Sequence, residues 1–227
     1  MATENFERAR SADAKRNREA AILDSATRLA LTGGVRSVTL TDIAAGVGMH
    51  KSTMLRYFET REEIFLRLAA SEWREWSAEV AAGLDTLDAD PGAVCDARAA
   101  AGILADTLTD RPLFCDLLAH VPLNLERGVS FQAVREFKLG AIAAAGRVAD
   151  SLGRCGLDRE EAVDVVATAT GMAGSLWQMA APGTELRRLY EQDPSLAHAV
   201  VDVRPRLTNI LTALIAGYSR TADLHLH

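Results

Sequence analysis

The sequence predicts an all-α protein with a small N-terminal three-helix head on a larger helical body. Apolar residues recur at helical spacing along the whole chain, and no segment alternates as a half-buried strand does. Aromatic residues are only 5% of the 227 while alanine is abundant, a composition suited to closely packed helices. The apolar fraction of 48% suffices for a sizeable core, and charges spread along the chain exclude wholesale disorder.

The first helix is expected from Asp13 to Thr32, on an apolar stripe of Ile22, Leu23, Ala26, Leu29 and Ala30. Gly33-Gly34 supplies a left-handed stop. A second helix starts at Thr39, which has capping-box spacing to Asp42, and carries Ile43, Ala44 and Val47 before Gly46 and Gly48 end it. A third, short helix is expected from Lys51 to Phe58. Thr60 and Glu63 form a second capping-box pattern that opens a long fourth helix with Ile64, Phe65, Leu68, Trp73 and Trp76. Beyond Gly83, breaks at Pro91-Gly92, Arg111-Pro112, Gly128, Gly153–Gly156, Pro182-Gly183 and 193–205 leave room for about five or six more helices. The expected division is a head over 1–62, a body over 63–220 and a flexible tail over 221–227.

Charge separates the two parts. Residues 1–70 carry 11 Lys/Arg against 9 Asp/Glu, whereas residues 71–227 carry 14 against 22, so the negative charge of the chain sits in the body. A mildly basic head on an acidic body is compatible with DNA, because only the contacting face must be positive. Cys95, Cys115 and Cys155 show neither metal spacing nor a disulfide framework, which points to a reducing, cytoplasmic setting. The mixed-charge N-terminus is not a signal peptide. Val165–Thr184 has no charged side chain, but its Ala, Gly and Thr content, with Gln178 and Pro182, reads as a buried helix and not as a membrane span. No nucleophile–base pair, paired carboxylates, phosphate loop or metal spacing stands out, so neither an enzyme nor a cofactor is expected.

The segment Thr39–Phe58, two short helices joined by a glycine-containing turn, has the helix-turn-helix pattern. Ile43, Ala44, Val47, Met54 and Phe58 face inward, with Ala44 small where the helices approach. Lys51, Ser52, Leu55 and Arg56 face outward, with Tyr57 at the flank. Lys51, Ser52 and Thr53 open the third helix and suit base edges, with Lys51 matched to guanine acceptors and Leu55 to a thymine methyl. Thr39 and Thr41 sit where exposed amides favour a phosphate, and Arg56, Tyr57 and Arg61 suit backbone contacts. Arg8, Arg10, Lys15, Arg16 and Arg18 read equally as a phosphate-tracking arm or a solvated tail.

The run from Val38 to Ile64, with Ile43-Ala44, Gly46-Val47, Thr53, Tyr57-Phe58 and Arg61-Glu62, resembles the DNA-binding region of the TetR family over about residues 15–70. Three positions depart from that pattern. His50 replaces the usual Ser, which weakens the cap or puts His50 itself on DNA. Ser52 replaces a common Gly, and Leu55 replaces a phosphate-binding Tyr.

The resemblance implies a body that dimerises through its last long helices and encloses a small-molecule pocket. Ala167, Gly171 and Ser175 recur every four residues, with Gly174 alongside, and make a smooth helix face. Together with Leu207, Ile210, Leu211, Leu214 and Ile215 it reads as a dimer bundle or as an intrachain contact. Trp73, Trp76, Phe114, Leu118, Met172, Trp177 and Met179, with Cys115, His120, Asn124 and Gln178 as polar anchors, read as pocket lining or as plain core.

The expected protein is a homodimer on a near-palindromic double-stranded operator, released by an apolar or aromatic effector that tilts the fourth helix. The alternatives are a regulator without an effector, an activator, and, remotely, a helical enzyme or carrier.

Overall fold

A computed structural model describes the backbone of residues 2–88 and 96–224, and the side chains of 13–87 and 96–219. Among the described residues all regular structure is helical: α1 (Ala2–Gly33), α2 (Leu40–Gly46), α3 (Lys51–Met54), α4 (Arg61–Asp85), α5 (Ala97–Thr109), α6 (Pro112–His120), α7 (Phe131–Leu152), α8 (Arg159–Ala180), α9 (Glu185–Gln192) and α10 (Val203–Leu224). A π-turn, Val121–Leu125, follows α6 where Pro122 cannot donate to the ladder. α10 extends into the segment expected as a tail, and residues 225–227 lie outside the described residues, as do Cys95 and the side chains of Arg8 and Arg10.

Two apolar cores organise these helices. One lies in the body, between Trp76, Val80 and Leu84 of α4, Leu104 and Leu108 of α5, Phe114 of α6, Val148 and Leu152 of α7, Val165 and Leu176 of α8, and Leu207, Leu211 and Ile215 of α10. The other joins the head to the body. Ile22, Ile43, Met54, Phe58, Ile64 and Phe65 pack with Leu113 and Leu117 of α6, Leu125 of the π-turn and Phe137 of α7. Trp73, on α4, packs against both.

The body core closes by small residues as much as by large ones. A Cβ on Gly174 would stand 2.8 Å from the amide nitrogen of Ala119, so α8 meets the backbone of α6 directly. The uncharged stretch is therefore a packed helix, α8, which ends at Ala180. Ala181 takes a left-handed conformation at φ 44°. No helix among the described residues is long and apolar enough to cross a membrane. Cys155 is disulfide-bonded, which corrects the expectation of no disulfide framework: the cysteines are far apart in sequence, but separation in sequence sets no limit on distance in the fold.

Candidate nucleic-acid interface and body cavities

The head builds its outward face from local chemistry. Thr39 Oγ1 accepts from the Asp42 amide at 3.2 Å while Asp42 Oδ2 accepts from the Thr39 amide at 2.9 Å, completing the capping box that starts α2. These bonds hold the Asp42 carboxyl below its ordinary range, with the Thr39 hydroxyl the largest influence. α2 ends at Gly46, and Gly48, just past its C-cap Val47, has a φ of 66° that suits glycine. The Gly48 amide donates to Ala45 O at 3.1 Å and the Met49 amide to Ala44 O at 2.9 Å, a Schellman motif that fixes the turn. Where α1 crosses α2, a Cβ on Gly46 would collide with Ser25 Oγ, so Gly46 as well as Ala44 keeps the crossing close.

α3 is a single helical turn continued by bonds from the amides of Arg56 to Thr53 O, Tyr57 to Met54 O and Phe58 to Met54 O. Met54 and Phe58 are buried beneath it. His50, Lys51, Ser52, Thr53, Leu55 and Arg56 are exposed, and Tyr57 is half-buried. His50 makes no side-chain cap bond, consistent with the weaker cap expected there. A turn seated on Met54 and Phe58 thus presents two cations, two hydroxyls and one apolar side chain to solvent, the chemistry a major groove can read.

The body offers cavities on two sides. One of about 380 Å³ lies between Trp73 of α4, Leu118 of α6, Phe137, Ala141 and Ile142 of α7, and Val166, Ala167 and Gly171 of α8. Its walls are mostly apolar. A second, about 430 Å³, lies at the junction of head and body between Gly33, Gly34 and Arg36, Asp116 and His120 of α6, and Trp177 and Gln178 of α8. There Asp116 accepts from the Val35 amide at 2.6 Å and from Gln178 Nε2 at 2.8 Å. Burial pushes the Asp116 carboxyl up, but the bonds from His120, Val35 and Gln178 outweigh it and hold the group below its ordinary range.

Residues 22–68 match the model of the bacterial regulatory proteins of the TetR family, and residues 70–222 match the model of the tetracyclin repressor-like C-terminal domain. The chain belongs to the TetR family. Similar folds occur in the multidrug binding protein EbrR complexed with imidazole, at 21% identity and a TM-score of 0.54, covering 87% of this chain and 94% of that one. A TetR-family regulator from Mesorhizobium loti is 16% identical with a TM-score of 0.56, covering 91% and 97%. The fatty acid degradation regulator FadR from Bacillus halodurans is 15% identical with a TM-score of 0.53, covering 86% and 94%. No curated protein matches the chain. As a TetR-family member it is a DNA-binding transcriptional regulator.

In this TetR-family chain several expected site residues have other employment. Arg61 is turned inward: its guanidinium donates to the carbonyls of Val35 and Val38, pairs with Glu62 at 2.9 Å and lies 4.8 Å over the Phe65 ring, so most of its donors are engaged within the head. Thr39 spends its hydroxyl on Asp42, bonding its carboxylate at 2.6 Å. The second capping box is half formed: Thr60 caps the Glu63 amide at 3.1 Å, but Glu63 Oε2 returns to Glu59, at 2.8 Å.

Of the expected pocket residues, Trp73 and Leu118 line the apolar cavity, and His120, Trp177 and Gln178 line the junction cavity. Trp76, Phe114 and Cys115 are core: Trp76 Nε1 donates to Thr107 at 3.0 Å, and burial pushes the Cys115 thiol up to about 12. Met172 packs half-buried on the body core, and Asn124 and Met179 are exposed, none of them against either cavity. Leu207 and Leu211 are buried inside the protomer, which removes them from a dimer face, while Ala167, Gly171 and Ser175 are exposed and Ile210 and Leu214 half-buried. Sequence reading missed Phe137, Ala141 and Ile142, which an apolar stripe on α7 announced, and Asp116, a lone charge in the apolar run Leu113–Leu118.

Proposed function

We propose that the protein is a homodimeric, cytoplasmic repressor that binds a near-palindromic operator and leaves it when an apolar or aromatic small molecule enters the cavity walled by Trp73. The observation that carries this reading is the path of α4, which begins in the head core at Ile64 and Phe65 and presents Trp73 to the cavity. A ligand that binds the two settings of α4 with different affinity shifts the head with it. DNA contact falls to His50, Lys51, Ser52, Thr53, Leu55 and Arg56, with Thr41 and Tyr57 flanking. Domain division falls within the first turn of α4, head over 1–62 and body from 63.

The dimer face is the outer side of α8 and α10, around Ala167, Gly171, Ser175, Ile210 and Leu214. Because Ala167 and Gly171 also line the apolar cavity, a partner packed there would help to close its mouth.

Selection of bound sequences from random DNA tests the first half of the reading, and a palindrome with half-sites about one helical turn apart is the expected result. Trp73 fluorescence titrated with apolar aromatic compounds, read beside operator release, tests the second. Quenching without release would sink the effector mechanism while leaving DNA binding intact.

A further inference from the structure

The connection between α1 and α2 is gripped from two sides at one residue. The Val35 amide donates to Asp116 Oδ2 of α6 at 2.6 Å, and the Val35 carbonyl accepts from Arg61 of α4. Gly34, at φ 80°, lets the backbone turn close to the carboxylate. The other oxygen, Asp116 Oδ1, accepts from Gln178 of α8 at 2.8 Å and lies 3.4 Å from His120 Nε2. α6 in turn bears on α8 backbone to backbone, because Gly174 offers no Cβ to keep Ala119 away. A short chain of directional contacts therefore runs from α8, through Asp116, to the residue that leads into the capped start of α2.

We propose that Asp116 is a positioning residue for DNA recognition: by tying the head to α8 it fixes the separation of the two α3 segments and so selects the spacing of operator half-sites. This rests on the dimeric reading above. A purely space-filling junction has no use for a carboxylate, since Leu113 and Leu117 on the same helix already supply apolar packing. A buried charge is costly unless its bonds are made, and here they join two helices and a connection that apolar packing would leave free to slide. Asp116 touches no surface that faces DNA, so its influence is on geometry alone.

The test measures affinity of the full-length protein, by fluorescence anisotropy, for the selected palindrome, for versions with the half-sites one base pair closer or farther apart, and for a single half-site. Each added base pair moves a half-site by about 3.4 Å and rotates it by about a tenth of a turn, so the wild type is expected to lose roughly tenfold or more off its optimum. Asp116→Asn keeps the shape but cannot serve Val35 and Gln178 equally, and Gln178→Ala removes one bond at an exposed position where folding is not at risk. Both are expected to flatten the preference to about threefold, with single half-site affinity held within about twofold, because one lost buried bond loosens the junction without touching the reading face. Gly174→Ala, which pushes α6 off α8, is expected to move the optimum to a different spacing and not merely to flatten it.

Equal losses on the single half-site and the palindrome would mean a folding role only and overturn the proposal, as would an unchanged spacing preference. A wild type that binds single half-sites well and palindromes no better would instead defeat the dimeric reading on which the proposal rests.

Discussion

In the head, α2 has seven residues and α3 four, whereas in the body α7, α8 and α10 have 22 each. Helices as short as those of the head do not persist alone in water, where about 12–15 residues are needed even for good sequences. They exist because named residues stop and start them: Thr39 with Asp42, the Gly48 and Met49 amides with the Ala45 and Ala44 carbonyls, and Met54 and Phe58 as the pegs beneath. The body helices are capped too, by Ser130 on α7 and by a full Asp158–Glu161 box on α8, but at 22 residues they depend less on their ends. They need a continuous apolar face, and many residue choices provide one. The head therefore rests on particular residues, while the body has latitude in its residue choices.

The comparison would break if the head were a separable unit. Its core instead includes Leu113, Leu117, Leu125 and Phe137 from the body. Truncating Phe58 to Ala removes a fully buried ring from that shared core and is expected to cost about 3–5 kcal/mol. The thermal transition should fall as one event for head and body. A low-temperature transition of the head alone, with the body melting unchanged, would show two independent units and undo the argument for coupling through α4 and α6.

Arg61 sharpens the boundary between reading DNA and holding the head. Its replacement by Ala strips the Val35 and Val38 carbonyls of their donor in a half-buried site, an expected loss of about 1–3 kcal/mol of stability. The slope of DNA affinity against salt should stay as in the wild type, since no phosphate contact is lost. A slope reduced by about one unit at unchanged thermal stability would return Arg61 to the interface.

What was legible in the sequence follows the same division. The caps at Thr39 and Thr60, the glycine turn at Gly48 and the outward set Lys51–Arg56 could be read because each is a local rule that three or four residues satisfy. Arg61 shows the limit of local rules, which do not say whether a long side chain turns outward or back: its partners, Val35 and Val38, lie more than 20 residues away in sequence. In the body, periodicity marked the helices but not which neighbour each face meets. Leu207 and Leu211 have the same spacing whether they face a partner or α5 and α8, and Trp76 and Phe114 look the same in a pocket wall as in a core. Asp116 left a trace, a charge within an apolar run, but its partners lie 81 residues before it and 62 after.

The Asp116 junction also predicts a pH dependence. Its carboxyl is held below its ordinary value of 3.8 in the folded chain, so it contributes stability that is present above 3.8 and is lost as pH falls through the lower folded value. Asp116→Asn should therefore lower the melting temperature most near neutral pH, and the gap from wild type should narrow as pH is taken from 5 down towards 3. A gap that stays constant over this range would mean the charge itself contributes nothing at the junction.

The smallest effect on stability, and the most telling for function, is expected at the exposed face of α3. Lys51 and Arg56 are solvent-exposed and stand outside both apolar cores, so Ala at either position should leave stability within about 0.5 kcal/mol of wild type. Their effect on DNA should differ in kind. A cation neutralising a phosphate lowers the salt slope by about one unit when removed and weakens all sequences alike, whereas one that pairs with a guanine edge costs about 1–3 kcal/mol at one base pair and relaxes the preference there. Lys51, at the start of α3, is expected to show the second pattern and Arg56, a turn later, the first. Measuring both variants against the selected operator and its single-base changes, at two salt concentrations, separates the two roles. If both variants bind like the wild type at every salt and sequence, the outward face of α3 is not the reading surface, and the residues assigned there must be sought elsewhere on the head.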